Sequence, residues 1–360
     1  MTSTAVKAER ASAPIPPERE RIAALQAIMG ASDPALRAFP EAIRTITFKN
    51  HDRWVKPLYE KHWPDALAAG SKTARKLRFL TCNLYATAPY TVLFSSPKPP
   101  VVVGVLRSLG TAMGFLPATL AKAAGVGVKI ASAFLSDDVH RRIVQVAAFI
   151  AAVDHVFDHC MDGVPGAERG RRMRGVVDGS WTPDDATQNA GAFRFLRALY
   201  VEMGSGIRGD DARVYDVAVA RLHDYVESEV KALTGVPDPS GLCWRMAGVL
   251  GTIDGLFSPV WRYAGDQARD WMYSCSLFVQ VMDDWLDWEK DALDIRPTPF
   301  ITGFWTLETV RETWQKTLDG VVDLAKASGV DDESYLAFVR ESYRLMALEV
   351  ADAMSGGGAA

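Results

Sequence analysis

Hydrophobic residues recur along this chain at three- and four-residue spacing, the period that lays one apolar face along an α-helix. The pattern starts over Glu18–Gln26 and resumes over 35–47, 52–69 and 71–90, with Pro, Gly or Ser between the runs. Ser95–Pro100, S-S-P-K-P-P, is a clear break. Beyond it Val101–Leu135 is apolar, with only Arg107, Lys122 and Lys129 charged. Its longest uncharged run, Ser108–Ala121, contains Pro117 and falls short of the ~20 residues a membrane span needs. That stretch reads as a core helix pair, as helices lining a cavity, or as a surface that rests on a membrane. Ser136-Asp137-Asp138 supplies N-cap candidates for a long helix over 137–162. The Gly-rich, basic stretch 163–191, with R-G-R-R-M-R at 169–174, predicts a mobile loop whose arginines form a solvated cluster or meet phosphate. Helical periodicity returns at 192–203, 210–233, 241–263, 266–293, 306–328 and 331–354. No alternating strand pattern competes, so the expected fold class is all-α: one helical domain over 21–354, between disordered tails at 1–20 and 355–360.

Composition narrows this only a little. The chain has 360 residues, 48% hydrophobic and 23% charged, with net charge −4. Such a balance suits a globular chain with ample core, and no basic stripe interleaved with aromatics suggests a nucleic-acid surface. Cys82, Cys160, Cys243 and Cys275 are scattered without C-x-x-C spacing, which predicts buried thiols in a reducing compartment. The N-terminus lacks an apolar h-region, so the expected localisation is cytoplasmic, with peripheral membrane contact and a homodimer left open.

The chemistry is concentrated in Gln280–Asp291, Q-V-M-D-D-W-L-D-W-E-K-D. Asp283 and Asp287 lie about 40° apart on a helix, and Asp284 falls within the same 100° arc. Unpaired like charges at this spacing destabilise a helix, and hard oxygen donors around open positions suit Mg²⁺. Asp291 extends the row by one turn. The surroundings, with Trp271, Phe278, Val281, Trp285 and Trp288, are not those of a solvated surface helix. A second row, Asp154, Asp158 and Asp162, recurs every four residues near the end of the helix over 137–162. Gly163 and Pro165 close that helix, which makes Asp162 as fitting a surface residue as a ligand. The apolar run before Asp154 predicts that this acidic face is buried. The candidate metal ligands are therefore Asp154, Asp158, Asp283, Asp284, Asp287 and Asp291, and two such helices fit a carboxylate metal site in a bundle core.

At this point the chain resembles the class I isoprenoid synthases. Phe278–Asp287, F-V-Q-V-M-D-D-W-L-D, looks like the second aspartate motif of the chain-elongating prenyltransferases. Asp154-x-x-x-Asp158 looks more like the first motif of squalene and phytoene synthases, and C-W-R-M-A-G-V-L-G-T-I-D-G-L-F at Cys243–Phe257 resembles their A-G-x-V-G helix. The likeness covers roughly 137–300. It departs from the chain-elongating enzymes in lacking their doubled aspartate in the first motif and in placing Arg171-Arg172 later than their arginine pair, and it has no N-D-x-x-S-x-x-x-E triad of the bacterial terpene cyclases. The resemblance implies a helical bundle with a central cavity, in which Asp154, Asp158, Asp283 and Asp287 act through Mg²⁺ on a prenyl diphosphate, joining two such substrates. A terpene cyclase acting on one is the alternative. Arg142 and Arg262 become candidates for the diphosphate, with Arg141 and Arg296 behind them. Phe157 and Tyr263 are candidates to face a carbocation, as are Phe149 and Trp285. Gln280 and Gly248, inside the matching motifs, complete the substrate-contacting set. His155 and His159 keep open a helical phosphohydrolase with mixed His and Asp ligands, although their angular offset from the aspartates turns them toward another helix. A non-catalytic helical protein is the remaining class.

Overall fold

Periodic burial of apolar side chains organises the whole chain. In the computed structural model every regular element among the described residues is helical, so the fold is all-α. The structure describes residues 14–31, 33–68, 71–87, 89–90, 117–205, 207, 209–232, 248–253, 256–257, 266–293, 298–327, 329, 331 and 333–354. In chain order the helices are α1 (Glu18–Met29), α2 (Ala38–Trp54), α3 (Lys56–His62), α4 (Lys72–Phe79), α5 (Pro117–Ser132), α6 (Asp137–His159) and α7 (Gly166–Asp178). There follow α8 (Ala190–Gly204), α9 (Asp210–Ala232), α10 (Asp266–Leu286), α11 (Trp288–Leu293), α12 (Leu307–Ala327) and α13 (Glu333–Met354). Residues 18–20, assigned from sequence to the tail, belong to α1. No described helix is long and apolar enough to cross a membrane.

Helix α6 is the central one because its apolar residues run all the way round it. Ile143, Val146, Ala147, Ala151, Ala152 and Val156 are fully enclosed, and α2, α8 and the end of α4 pack against it. Ser136 caps its first turn, its Oγ accepting from the Val139 N–H at 3.4 Å. The helix ends at His159 with Cys160 as C-cap, so Asp162 lies beyond it and is exposed.

Three sequence expectations are corrected. The break expected near 48–51 is absent: α2 continues through Lys49-Asn50-His51-Asp52 and stops at Trp54. Asn50 and His51 turn inward, Asn50 to the buried Tyr90 hydroxyl, while Lys49 and Asp52 face solvent, so the polar run fits the helix. The expected loop over 163–191 contains α7, started by Pro165, ended by Gly179 in the left-handed conformation, and buried through Met173, Val176 and Val177. Its arginines are paired within the fold: Arg171 and Arg172 with Glu168, and Arg174 with Glu227. The helix expected over 266–293 is divided at Asp287 into α10 and α11. Of the helix expected over 241–263 the described part is 248–253, 256 and 257, and Val101–Leu116 also lies outside the described residues.

After α4 the chain widens into a π-helical segment, Leu80–Tyr85, closed by the Ala86 N–H to the Thr81 carbonyl at 3.1 Å. The buried Thr47 hydroxyl lies 2.9 Å from the Cys82 carbonyl. Downstream, Asn50 Nδ2 donates to the Tyr90 hydroxyl at 2.9 Å, Tyr90 pairs with His140 Nδ1, and His140 Nε2 lies 2.8 Å from the Ser132 carbonyl. The donors run in one direction if His140 carries its proton on Nε2, and burial lowers its pKa to favour that neutral form. The relay joins α2, α6 and the end of α5. Cys82 and Cys160 are buried and Cys275 partly so, all three as free thiols, while Cys243 lies outside the described residues.

Two outcomes follow from these buried polar groups. Tyr90→Phe strands the Asn50 amide and the His140 ring nitrogen, and is expected to cost about 1–3 kcal/mol in urea unfolding. His51 is enclosed, and burial lowers its pKa from 6.5 to about 4. The unfolded chain therefore takes up a proton before the folded one does, so the contribution of His51 is full above pH 6.5 and is lost as the pH falls toward 4. A His51→Gln variant should show a shallower fall of the melting temperature over this window than the parent; equal slopes would refute the assignment.

Candidate functional site

Both acidic rows sit in the last turns of their helices. Asp154 and Asp158 end α6, and Asp283 and Asp284 end α10 with Asp287 at the break behind them. A helix C-terminus already carries partial negative charge, so aspartates there are disfavoured twice over. The two ends nevertheless come to the same end of the bundle. The Asp283 carboxyl is held well above the usual carboxylate range, first by burial and then by repulsion from Asp154, Asp287 and Asp284, while Lys76 opposes the shift. The structure thus brings Asp154, Asp283, Asp284 and Asp287 into one electrostatic neighbourhood across two helices 129 positions apart.

Between these helices lies a small cavity of about 70 Å³, part of it open to solvent. Helix α10 packs chiefly on α12, and α6 on α8, α2 and the π segment, and both acid-bearing helices contribute to the cavity wall. The walls are apolar, with Phe149, Ile150 and Val153 from α6, Leu222 from α9, and Val249, Ile253 and Leu256 from the segment after 247. Tyr225 and Thr252 also line it. Asp154 and Gln280 supply the carboxylate and the amide at its edge.

The remaining expected residues fall as follows. Asp154 is exposed at the rim, which differs from the buried face expected from sequence: it stands on the open side of the last turns of α6, whose other side stays in the core through Val156 and Phe157. Asp158 and Asp287 are partly exposed, whereas Asp284 and Asp291 are buried. Gln280 Nε2 donates to Asp284 Oδ1 at 2.7 Å, and Lys290 Nζ lies 3.4 Å from Asp287 Oδ2. Arg142 is buried three turns before Asp154, about 18 Å along α6 at 1.5 Å per residue, and its charge bears on Tyr215. It cannot share a diphosphate with Asp154. Phe157 is buried in the core and does not line the cavity. Gly248 serves packing: a Cβ there would stand 3.3 Å from the Tyr225 nitrogen and 3.4 Å from the Arg221 carbonyl oxygen, so glycine lets this segment lie close on α9. Arg262, Tyr263 and Arg296 lie outside the described residues.

His155 packs toward Trp63, whereas His159, also expected to face another helix, is exposed, and the charge of Asp158 bears on both rings. The His155 ring lies 5.8 Å from Trp63 and 5.0 Å from His159. Lys76 on α4, which sequence reasoning missed, bears on Asp283, His155 and His159 together. It stands in an ordinary basic helix, K-T-A-R-K-L-R-F, and only the packing of α4 against α6 gives it a role.

The acidic end of α10 is held from outside the cavity. Arg21 of α1, 3% exposed, donates to the Leu286 carbonyl at 3.0 Å, and the Trp285 indole donates to the Arg21 carbonyl at 2.9 Å. A guanidinium at this terminus offsets part of the negative helix end. Trp285, Trp288 and Phe300 pack mutually at 5.3–5.5 Å around the break at Asp287.

Among the described residues no three His, Cys, Asp or Glu side chains are grouped so as to hold a metal ion as they stand, although Asp283 is within the electrostatic reach of the Asp154, Asp287 and Asp284 carboxylates. Their donor set is all oxygen, and the repulsion on Asp283 is of the kind that a divalent cation relieves; in both respects the residues fit Mg²⁺. No protein-family model, curated protein or solved structure matches this chain.

The strain on Asp283 has a measurable sign. A raised carboxyl pKa contributes stability at low pH that is lost as the pH rises, so Asp283→Asn should stabilise the metal-free protein at neutral pH. The expected gain is about 1–2 kcal/mol, or about 2–4 °C in thermal midpoint, shrinking as the pH approaches 4. A lower midpoint at pH 7 would show that the carboxylate is instead held by favourable partners.

Proposed function

We propose that the chain is a class I isoprenoid synthase that uses Mg²⁺ to ionise an allylic prenyl diphosphate and joins the resulting cation to a second prenyl diphosphate. The observation that supports this reading is that Asp154 lines an apolar cavity while its charge bears on Asp283 of the other acidic helix. A leaving group of concentrated negative charge and a hydrocarbon cation need those two surroundings side by side.

In this reading Asp154 and Asp158 on α6 and Asp283 and Asp287 on α10 hold the metal. The bound Mg²⁺ would supply Lewis-acid neutralisation of the departing diphosphate. Lys76 and Lys290, both beside the acidic ends, take the diphosphate-binding task first assigned to Arg142. Gln280 fixes Asp284 through its amide and leaves the rest of its side chain on the cavity wall. When the C–O bond breaks, the electron pair leaves with the diphosphate and the allylic fragment stays among Val153, Ile253 and Leu256, which offer no nucleophile. The ring of Phe149 presents an electron-rich face to the positive charge. Exclusion of water by these walls keeps the cation from becoming an alcohol.

A second reading is cyclisation of a single prenyl diphosphate, which would begin with the same metal-triggered ionisation. At about 70 Å³ the cavity is well below the ~300–1,000 Å³ range of small-molecule pockets, so in either reading its walls have to part to admit a prenyl chain.

Incubation with farnesyl and geranylgeranyl diphosphates, with Mg²⁺ or with EDTA, separates these outcomes by product mass and diphosphate release. Doubled carbon count indicates coupling, unchanged count cyclisation, and unrearranged alcohol hydrolysis. Asp154→Ala and Asp283→Ala are each expected to lower turnover by at least about a thousandfold while helical circular dichroism persists. Mg²⁺ should raise the thermal midpoint of the parent and not of Asp283→Ala. Undiminished turnover in either variant would remove the metal assignment.

A further inference from the structure

Helix α5 is apolar on both of its sides. Its inner residues Ala121, Gly125, Val128 and Ala131 are buried, largely on α2, and a Cβ at Gly125 would stand 2.6 Å from the Ala38 carbonyl oxygen. The opposite side exposes Val126 by 59%, Ile130 by 46% and, just past the helix end, Phe134 by 69%. Val126 and Ile130 lie one turn apart on the same face of α5, and Phe134 follows in the turn that closes the helix, so the three make one exposed apolar stretch. Of the other large exposed apolar side chains, Val201, Leu293 and Phe304 stand on separate elements, and Val214 and Val217 form a smaller pair on α9, whose neighbours in the sequence include Asp210, Asp211 and Asp216. Lys122 and Lys129 flank the α5 stretch, both exposed, and no acidic residue occurs from Pro117 to Leu135.

We infer that this stretch docks α5 in the plane of an anionic bilayer surface. Lysine is depleted from protein–protein contacts, whereas beside an apolar stripe at a lipid interface its stem runs along the acyl boundary and its ammonium reaches the headgroups. Val126 and Ile130 then enter the boundary from one side of the helix, with Phe134 at its end, while the inner side stays packed on α2. The net charge of −4 repels the molecule as a whole from an anionic surface, so the attraction is local to α5. Nothing in this docking depends on prenyl chemistry.

Sedimentation of the full chain with phosphatidylcholine vesicles, with and without phosphatidylglycerol, tests it. The parent is expected to co-sediment with the anionic vesicles. Val126→Ser combined with Ile130→Ser should weaken binding at least about tenfold, and Phe134→Ser alone should weaken it measurably. Lys122→Glu with Lys129→Glu should abolish the preference for phosphatidylglycerol. All these side chains face solvent, so thermal midpoints should stay within about 2 °C of the parent's. A parent that stays in the supernatant, or a Val126→Ser/Ile130→Ser variant that binds as well as the parent, overturns the inference. A parent that is dimeric by analytical ultracentrifugation, becomes monomeric on the same double substitution and binds no vesicle overturns it in favour of a second copy of the chain.

Discussion

Repulsion between carboxylates at the ends of α6 and α10 is the constraint around which the bundle is built. Neither helix gains from its aspartates: they occupy the negative ends of two macrodipoles, and Asp283 carries the added cost of burial. A chain under selection for stability alone would place lysine or arginine in those turns. The fold instead stabilises both helices by other means and leaves the acidic ends within electrostatic reach of each other.

Those means are visible on each helix. Around α6 a continuous apolar surface packs against α2, α8 and the π segment, so the two turns bearing Asp154 and Asp158 belong to a rod that the core holds on its other side. Helix α10 has a broad contact with α12, where the Trp271 indole donates to the Thr317 carbonyl at 3.1 Å, and its final turn is held by Arg21 and the cluster of Trp285, Trp288 and Phe300. The N-terminal helix α1, to which the sequence alone assigns no task, therefore supports the acidic end of α10 from outside the cavity.

Much of this was legible from residue order. The 3.6-residue period predicted the all-α class, the capping serine at 136 marked the start of α6, and four-residue spacing placed Asp283 and Asp287 on one face. Less visible was anything decided by a distant partner. Lys49-Asn50-His51-Asp52 looks like a break until Asn50 is seen against Tyr90. The arginines of 169–174 look mobile until Glu168 and Glu227 take them up within and beside α7. Arg142 seemed a match for a diphosphate by type, but the rise of α6 carries it too far away, while Lys76 comes from a helix with no local mark of its role. Gly248, read within a motif, is explained by the close approach of two backbones.

The π-helical turn at Leu80–Tyr85 bears on how this chain could have changed its length. Relative to an α-helix, such a turn holds one extra residue, which rotates everything after it by about 100°. Tyr90 reaches Asn50 and His140 only in the rotated phase. The segment therefore has the form of a one-residue insertion that became indispensable: deleting any single position between 80 and 85 would restore a regular helix and swing Tyr90 off the relay. Point substitutions in this stretch explore side chains at fixed phase, whereas a one-codon deletion would reset the phase itself. Alignments of related chains, where they exist, should hold the length of this segment more strictly than its composition.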